Sequence, residues 1–233
     1  MFEFRIKEIM PHVYHLHFSS HYELAMSFLR FEEYYESENE KYRKQIFSLD
    51  DYMEWYAKTH GEGVFTYPED WGGFNVPSWA LLGVRRQENR IPDVNKHDRR
   101  MFMLIDWIAD REDQSFYFIG TSEECIDGDH KDTLDHEIAH ALYTVNKEYM
   151  KEVQALLQDW EAGENHKKKD LSKARQILKD VGYHSSTVDD EINAYCSTGL
   201  CEELEEVISK KKMKPFQKLF KEYKKKCLSE KSK

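Results

Sequence analysis

The stretch Thr133-Leu134-Asp135-His136-Glu137-Ile138-Ala139-His140-Ala141-Leu142 constrains this chain more than any other. It holds no Pro or Gly and reads as one helix. Residues i and i+4 share a helix face, so His136 and His140 aim two imidazoles at one point. Zinc accepts such nitrogens at about 2.0–2.1 Å. Glu137 follows the first histidine, placed to act as general base on a water at that point. The uncharged Ile138, Ala139, Ala141 and Leu142 suit a helix buried beside a cleft.

The same ten residues resemble the longer zincin metallopeptidase signature, with Thr133 three before the first histidine and uncharged Leu134 after it. A catalytic zinc takes three protein ligands and keeps one open position. A third histidine at His-x-x-Gly-x-x-His spacing is missing, because Tyr143 and Asn146 occupy those places. That argues against the metzincin branch.

The third ligand is expected from Thr187-Val188-Asp189-Asp190-Glu191-Ile192-Asn193-Ala194-Tyr195. Thr187 with Asp190 gives a helix-start signal that places Glu191 in a first turn. Ala194, three residues on, is small enough for close helix approach. This Glu-x-x-Ala arrangement resembles the gluzincin branch, and the resemblance makes Glu191 the ligand; Asp190, Asp189 and His184 are its competitors. It also implies a donor to the oxyanion of peptide hydrolysis, for which His184 and Tyr195 are the candidates. Asp135 and the Asp189/Asp190 pair are placed to orient an imidazole N–H. Cys125, eleven residues before His136, is a further candidate to cap the metal.

The expected fold is α+β and zincin-like: one domain over 1–233 with a small sheet, a cleft-edge strand beside the metal helix, and a mostly helical C-terminal half. Residues 1–120 form its α+β part, 121–208 its metal-binding part and 209–233 a basic amphipathic helix. Phe2, Phe4 and Ile6 alternate with charged residues as a strand does, and Tyr14, Leu16 and Phe18 alternate likewise, which turns His15 and His17 toward water. Helices are expected over 22–35, from Ser48 through Lys58, and within 92–110. Residues 61–78 read as loop, and Trp79 to Val84 as a short buried strand. Ser115 to Gly120 is the clearest strand. By the zincin resemblance it is the upper edge of the cleft, where extended substrate pairs through main-chain hydrogen bonds. The polar loop 125–131 follows, and Asp129 or Asp132 is expected to cap the metal helix. That helix ends near Asn146. Helices over 147–160 and 170–179 follow, separated by a solvated linker over 163–169, with Gly182 closing the second.

Four scattered cysteines, Cys125, Cys196, Cys201 and Cys227, form no Cys-x-x-Cys and no disulfide framework; buried reduced thiols are expected. The N-terminus lacks a signal-peptide core, and no run approaches the roughly 18 apolar residues of a membrane span, so a cytoplasmic protein is expected. Residues 210–233 hold eleven lysines and two glutamates, a local excess of nine positive charges. The remainder therefore carries about −19 of a net −10, a body that repels nucleic-acid backbone. In the tail, Phe216, Leu219, Phe220, Tyr223 and Cys227 fall at helical spacing among the lysines. This reads as a docked terminal helix with its lysines in water.

Together these features predict a zinc metallopeptidase acting on peptide or protein substrates. Two other readings differ in class. One is a protein-binding module on an inactive or latent zincin scaffold, which has no need of Glu137. The other is a protease recruited to nucleic acid by its Lys-rich tail.

Overall fold

The computed structural model describes residues 4–124, 130–163 and 165–230. The chain divides into two compact units, Met1–Thr133 and Leu134–Lys233.

In the first unit, β1 (Phe4–Met10) and β2 (Val13–Phe18) pair antiparallel, with Phe4 opposite Phe18 and Ile6 opposite Leu16. The turn between them places His12 in left-handed backbone, φ 64°. Such a conformation needs local support. Here the His12 N–H donates to Glu8 Oε1 at 3.2 Å, and His12 Nδ1 meets Glu112 Oε2 at 2.6 Å. Next come α1 (His21–Glu36), α2 (Leu49–Thr59) and the single turn α3 (Tyr67–Asp70). Then β3 (Phe74–Pro77), α4 (Ser78–Arg85), α5 (Lys96–Ala109) and β4 (Tyr117–Ser122) complete the unit.

The strand order is β1-β2-β4-β3, with β2 and β4 parallel and β3 antiparallel to β4. Helix α1 packs on this sheet so closely that a Cβ on Gly120 would lie 2.6 Å from Leu24 Cδ1 and from Phe28 Cε2. Phe28 stacks on Phe74 with ring centroids 5.6 Å apart. Leu16, Phe18, Leu24, Phe28, Phe31, Val76 and Phe118 are among the buried core.

Four expectations fail in this unit. Ser115 to Gly120 was expected at the edge of a cleft, yet β4 is hydrogen-bonded on both sides, to β2 and β3. It is interior and buried along its whole length, so it offers no free main-chain edge to a substrate. Tyr117, Phe118 and Ile119 form the consecutive apolar run of a central strand covered on both faces. Residues 79–84 lie in helix α4 rather than a strand. Ala80, Leu81 and Val84 are buried there while Trp79 is exposed, the face separation of a helix and not of a strand. The 61–78 stretch contains α3 and β3 as well as loop. His15 and His17, expected to face water, are half-buried; His15 Nε2 meets Thr121 Oγ1 at 2.7 Å and His17 Nδ1 meets the same oxygen at 2.9 Å.

The second unit is helical. Most of α6 (His130–Val145) lies in it, followed by α7 (Lys147–Glu161), α8 (Asn165–Asp180), α9 (Val188–Thr198), α10 (Glu202–Glu205) and α11 (Lys210–Glu230). Asn146 ends α6 and caps α7, accepting from the N–H groups of Glu148 (3.1 Å) and Tyr149 (3.0 Å). Helix α8 starts at Asn165, within the stretch expected to be linker, and Gly182 follows it at φ 110°. Thr187 precedes α9 as expected, but its hydroxyl donates to His184 O at 2.9 Å and does not cap the helix.

The basic tail is α11. It packs on α9 and α7, burying Met213, Phe216, Leu219, Phe220 and Cys227, with the Phe216 ring 6.4 Å from Trp160. Cys196, Cys201 and Cys227 are in no disulfide among the described residues, and the first and last are buried; Cys125, Asp129 and the side chain of Asp132 fall outside the described residues. No helix among the described residues is long and apolar enough to cross a membrane.

Candidate metal centre

Helix α6 buries Ile138, Ala139, Ala141 and Leu142, which leaves His136 and His140 together on the adjoining face. Their Nε2 atoms lie 3.2 Å apart with the rings crossed at 72°. Glu191, in the first turn of α9, brings Oε1 to 3.5 Å from His140 Nε2 and Oε2 to 3.8 Å from His136 Nε2. Among the described residues, this His136, His140 and Glu191 group could hold a metal ion.

The spacing can be tested against coordination geometry. Four ligands at about 2.0–2.1 Å around a tetrahedral ion stand about 3.3–3.4 Å from one another. The two imidazole nitrogens, 3.2 Å apart, fit that edge, and with one Glu191 carboxylate oxygen the three donor atoms all lie within 4.8 Å of one another. Glu191 Oε2 is also buried without a hydrogen-bond partner. An unsatisfied buried carboxylate oxygen is costly, and a cation is what would satisfy it. Two imidazole nitrogens with one carboxylate suit zinc and its late first-row neighbours, whereas calcium and magnesium take oxygen ligands. The residues fit the ion.

The electrostatics agree. Burial pushes the Glu191 carboxyl up to about 7, opposed by His140 and reinforced by Asp190. Burial, then the neighbouring His140, holds His136 down at about 4. Burial acts against charge on His140 as well, but the Glu191 and Asp190 carboxylates outweigh it and hold its pKa well above the usual value. Positive charge is thus favoured on His140, beside Glu191 and Asp190, and disfavoured on His136.

Partners behind the donors aim them. Asp190 Oδ2 lies 3.1 Å from His140 Nδ1, so Nε2 is the nitrogen left to face the centre. Asn193 is fully buried between helices. Its Nδ2 donates to Ala139 O at 3.5 Å and Asp190 Oδ1 at 3.4 Å, and its Oδ1 accepts from Tyr149 at 2.8 Å. Asn193 thus ties α9 to α6 and α7 at the level of the site.

Glu137 is buried one residue after His136, near enough to act electrostatically on His136, His140 and Tyr195. The Tyr195 ring lies against His136, centroids 4.7 Å apart, and its hydroxyl is 3.1 Å from that of Tyr183. Burial raises its phenol pKa, with Glu191 adding to the effect, so the hydroxyl keeps its proton.

The other candidates stand elsewhere. His184 Nδ1 accepts from the Ser186 N–H at 3.1 Å and is not among the converging donors. Asp189 is held by Arg175 Nε at 2.7 Å, and Asp135 pairs with Lys224. Sequence reading passed over Asn193 and Thr198. For Thr198 the signal was there: Glu191, Ala194, Tyr195 and Thr198 fall at i, i+3, i+4 and i+7, one face of α9.

The fold and site define an α+β chain whose helical unit carries a candidate His₂Glu metal centre. Comparison with protein-family models, curated proteins and solved structures finds no match to this chain.

Proposed function

We propose that this protein is a zinc-dependent metallopeptidase of gluzincin type, with His136, His140 and Glu191 as ligands. The observation that carries the reading is the convergence of these three donors, within 4.8 Å of one another, with a buried Glu191 oxygen that has no hydrogen-bond partner. A bound zinc would supply Lewis acidity and bring the pKa of a coordinated water toward neutrality.

The chain's own residues supply the rest. Glu137 takes the proton of the attacking water and passes it to the leaving amine. Asp190 holds the His140 ring in orientation. Tyr195, protonated and lying against His136, is one of the two oxyanion donors offered by the sequence; His184 is the other. A module that only binds a protein has no use for a buried Glu137, which favours hydrolysis over an inactive scaffold.

The test is elemental analysis of purified protein combined with a peptide-library digest, for wild type and Glu137→Gln. The expected result is about one zinc per chain in both, with cleavage by wild type alone. Zinc retained with no cleavage by wild type would favour the binding module. Absence of metal after reconstitution would remove the enzyme reading.

A further inference from the structure

We infer that Thr198 is a positioning residue that holds His136 in the tautomer whose Nε2 lone pair faces Glu191 and His140, an inference that rests on the metal reading above.

Thr198 stands in the last turn of α9, two turns after Glu191. Its Oγ1 donates to Ala194 O at 2.8 Å, the back-bond that helical threonines form with the carbonyl four residues earlier. A hydroxyl has one proton, and a backbone carbonyl only accepts, so that proton is committed. Only lone pairs of Oγ1 remain for His136 Nδ1, 3.4 Å away. Nδ1 must therefore be the nitrogen that carries hydrogen. In a neutral imidazole the other nitrogen then presents a lone pair. That nitrogen is Nε2, which lies 3.2 Å from His140 Nε2 and 3.8 Å from Glu191 Oε2.

The ring has a second constraint. Tyr195, one turn earlier on the same face of α9, packs against it at 65°. This contact fixes the plane of the ring, and turning the ring over within that plane would cost the hydrogen bond to Thr198. Helix α9 thus supplies the ligand Glu191 and an outer partner for each histidine: a carboxylate, Asp190, for His140 and a neutral hydroxyl, Thr198, for His136.

The experiment compares zinc affinity, by competition with a chromophoric chelator, for wild type, Thr198→Val, Thr198→Ser and His136→Ala. Imidazole ¹⁵N NMR on the metal-free proteins reads the tautomer directly. Valine keeps the shape of threonine and removes the hydroxyl; melting temperatures check that it folds. Thr198→Val should bind zinc about 10–100-fold more weakly and lose the Nδ1–H signature of His136, and Thr198→Ser should stay within about threefold of wild type. Wild-type affinity in Thr198→Val, with binding abolished in His136→Ala, would overturn the inference and leave the metal centre standing. Weakening in Thr198→Ser with wild-type affinity in Thr198→Val would assign the effect to packing of the methyl group and also overturn it. Unchanged affinity in His136→Ala would overturn the metal reading and this inference together.

Discussion

His140 Nδ1 and Asp190 Oδ2 lie 3.1 Å apart, and Asp190 is the residue immediately before the Glu191 that approaches the other nitrogen of the same ring at 3.5 Å. Two consecutive carboxylates of α9 thus hold one imidazole from both ends. In the first turn of a helix their charge is also favoured by the macrodipole, which makes so acidic a cluster tolerable in a buried place.

Removing the outer carboxylate should loosen the ligand without deleting it. Asp190→Asn is expected to weaken zinc binding about 10–100-fold, whereas Asp189→Asn, whose partner is Arg175, should change it by less than about threefold. Chelator competition on both variants checks the contrast.

Metal binding should depend steeply on pH around neutrality. The ion needs an unprotonated carboxylate and neutral imidazoles, so protons and metal compete. Burial raises Glu191 to about 7, and the two carboxylates hold His140 well above its usual value. Both shifts keep protons on the site at pH values where exposed groups would have lost them. Affinity should therefore rise as pH increases through about 7, with proton release on binding. Calorimetry in buffers of different ionisation enthalpy would count those protons; a flat affinity between pH 6 and 8 would contradict the buried arrangement.

The C-terminal helix should matter for the site through packing more than through charge. Phe216 is buried beside Trp160 on a helix that packs against α9. Phe216→Ala should cost about 3–5 kcal/mol, and weaken zinc binding as α9 loosens. Lys214→Ala and Lys221→Ala, on the exposed side, should stay within about 0.5 kcal/mol. Denaturant unfolding with zinc titration of each variant distinguishes the two faces.

A separate pH effect belongs to the first unit. Glu33 is buried with hydrogen bonds from Ser37, Tyr52 and Tyr67, and burial still lifts its carboxyl from 4.5 to about 7. The folded state binds this proton more tightly than the unfolded one. Its stabilising contribution is therefore full below about 4.5 and is lost as pH rises through about 7. The size of that loss is about 3 kcal/mol. Glu33→Gln should remove this slope, read from denaturant midpoints across pH 4.5–8.

Much of this was legible in the chain. The spacing of His136 and His140, the proline-free run around them and the acidic start of α9 at Glu191 are local patterns, and local patterns survive translation into helices. The tail helix and the Asn146 break between α6 and α7 were readable for the same reason. Where the reading failed, the deciding contacts were distant in sequence. β4 looks the same as a cleft edge or as a central strand until β2, about a hundred residues earlier, is seen to pair with it in parallel. Residues 79–84 are apolar enough for either state, and the separation of exposed Trp79 from buried Ala80, Leu81 and Val84 appears only once the neighbours are in place.

The sequence by itself determined which residues could ligate a metal and which helix would carry two of them, because helical periodicity sets the direction of a side chain within a few residues. Only the tertiary structure decided that Glu191, and neither His184 nor Asp189, completes the group. It also decided that Asp190 and Thr198 stand behind the two histidines. Those choices depend on how α9 lies across α6, and that is set by buried contacts such as Asn193 with Ala139 and Tyr149, between residues some fifty positions apart.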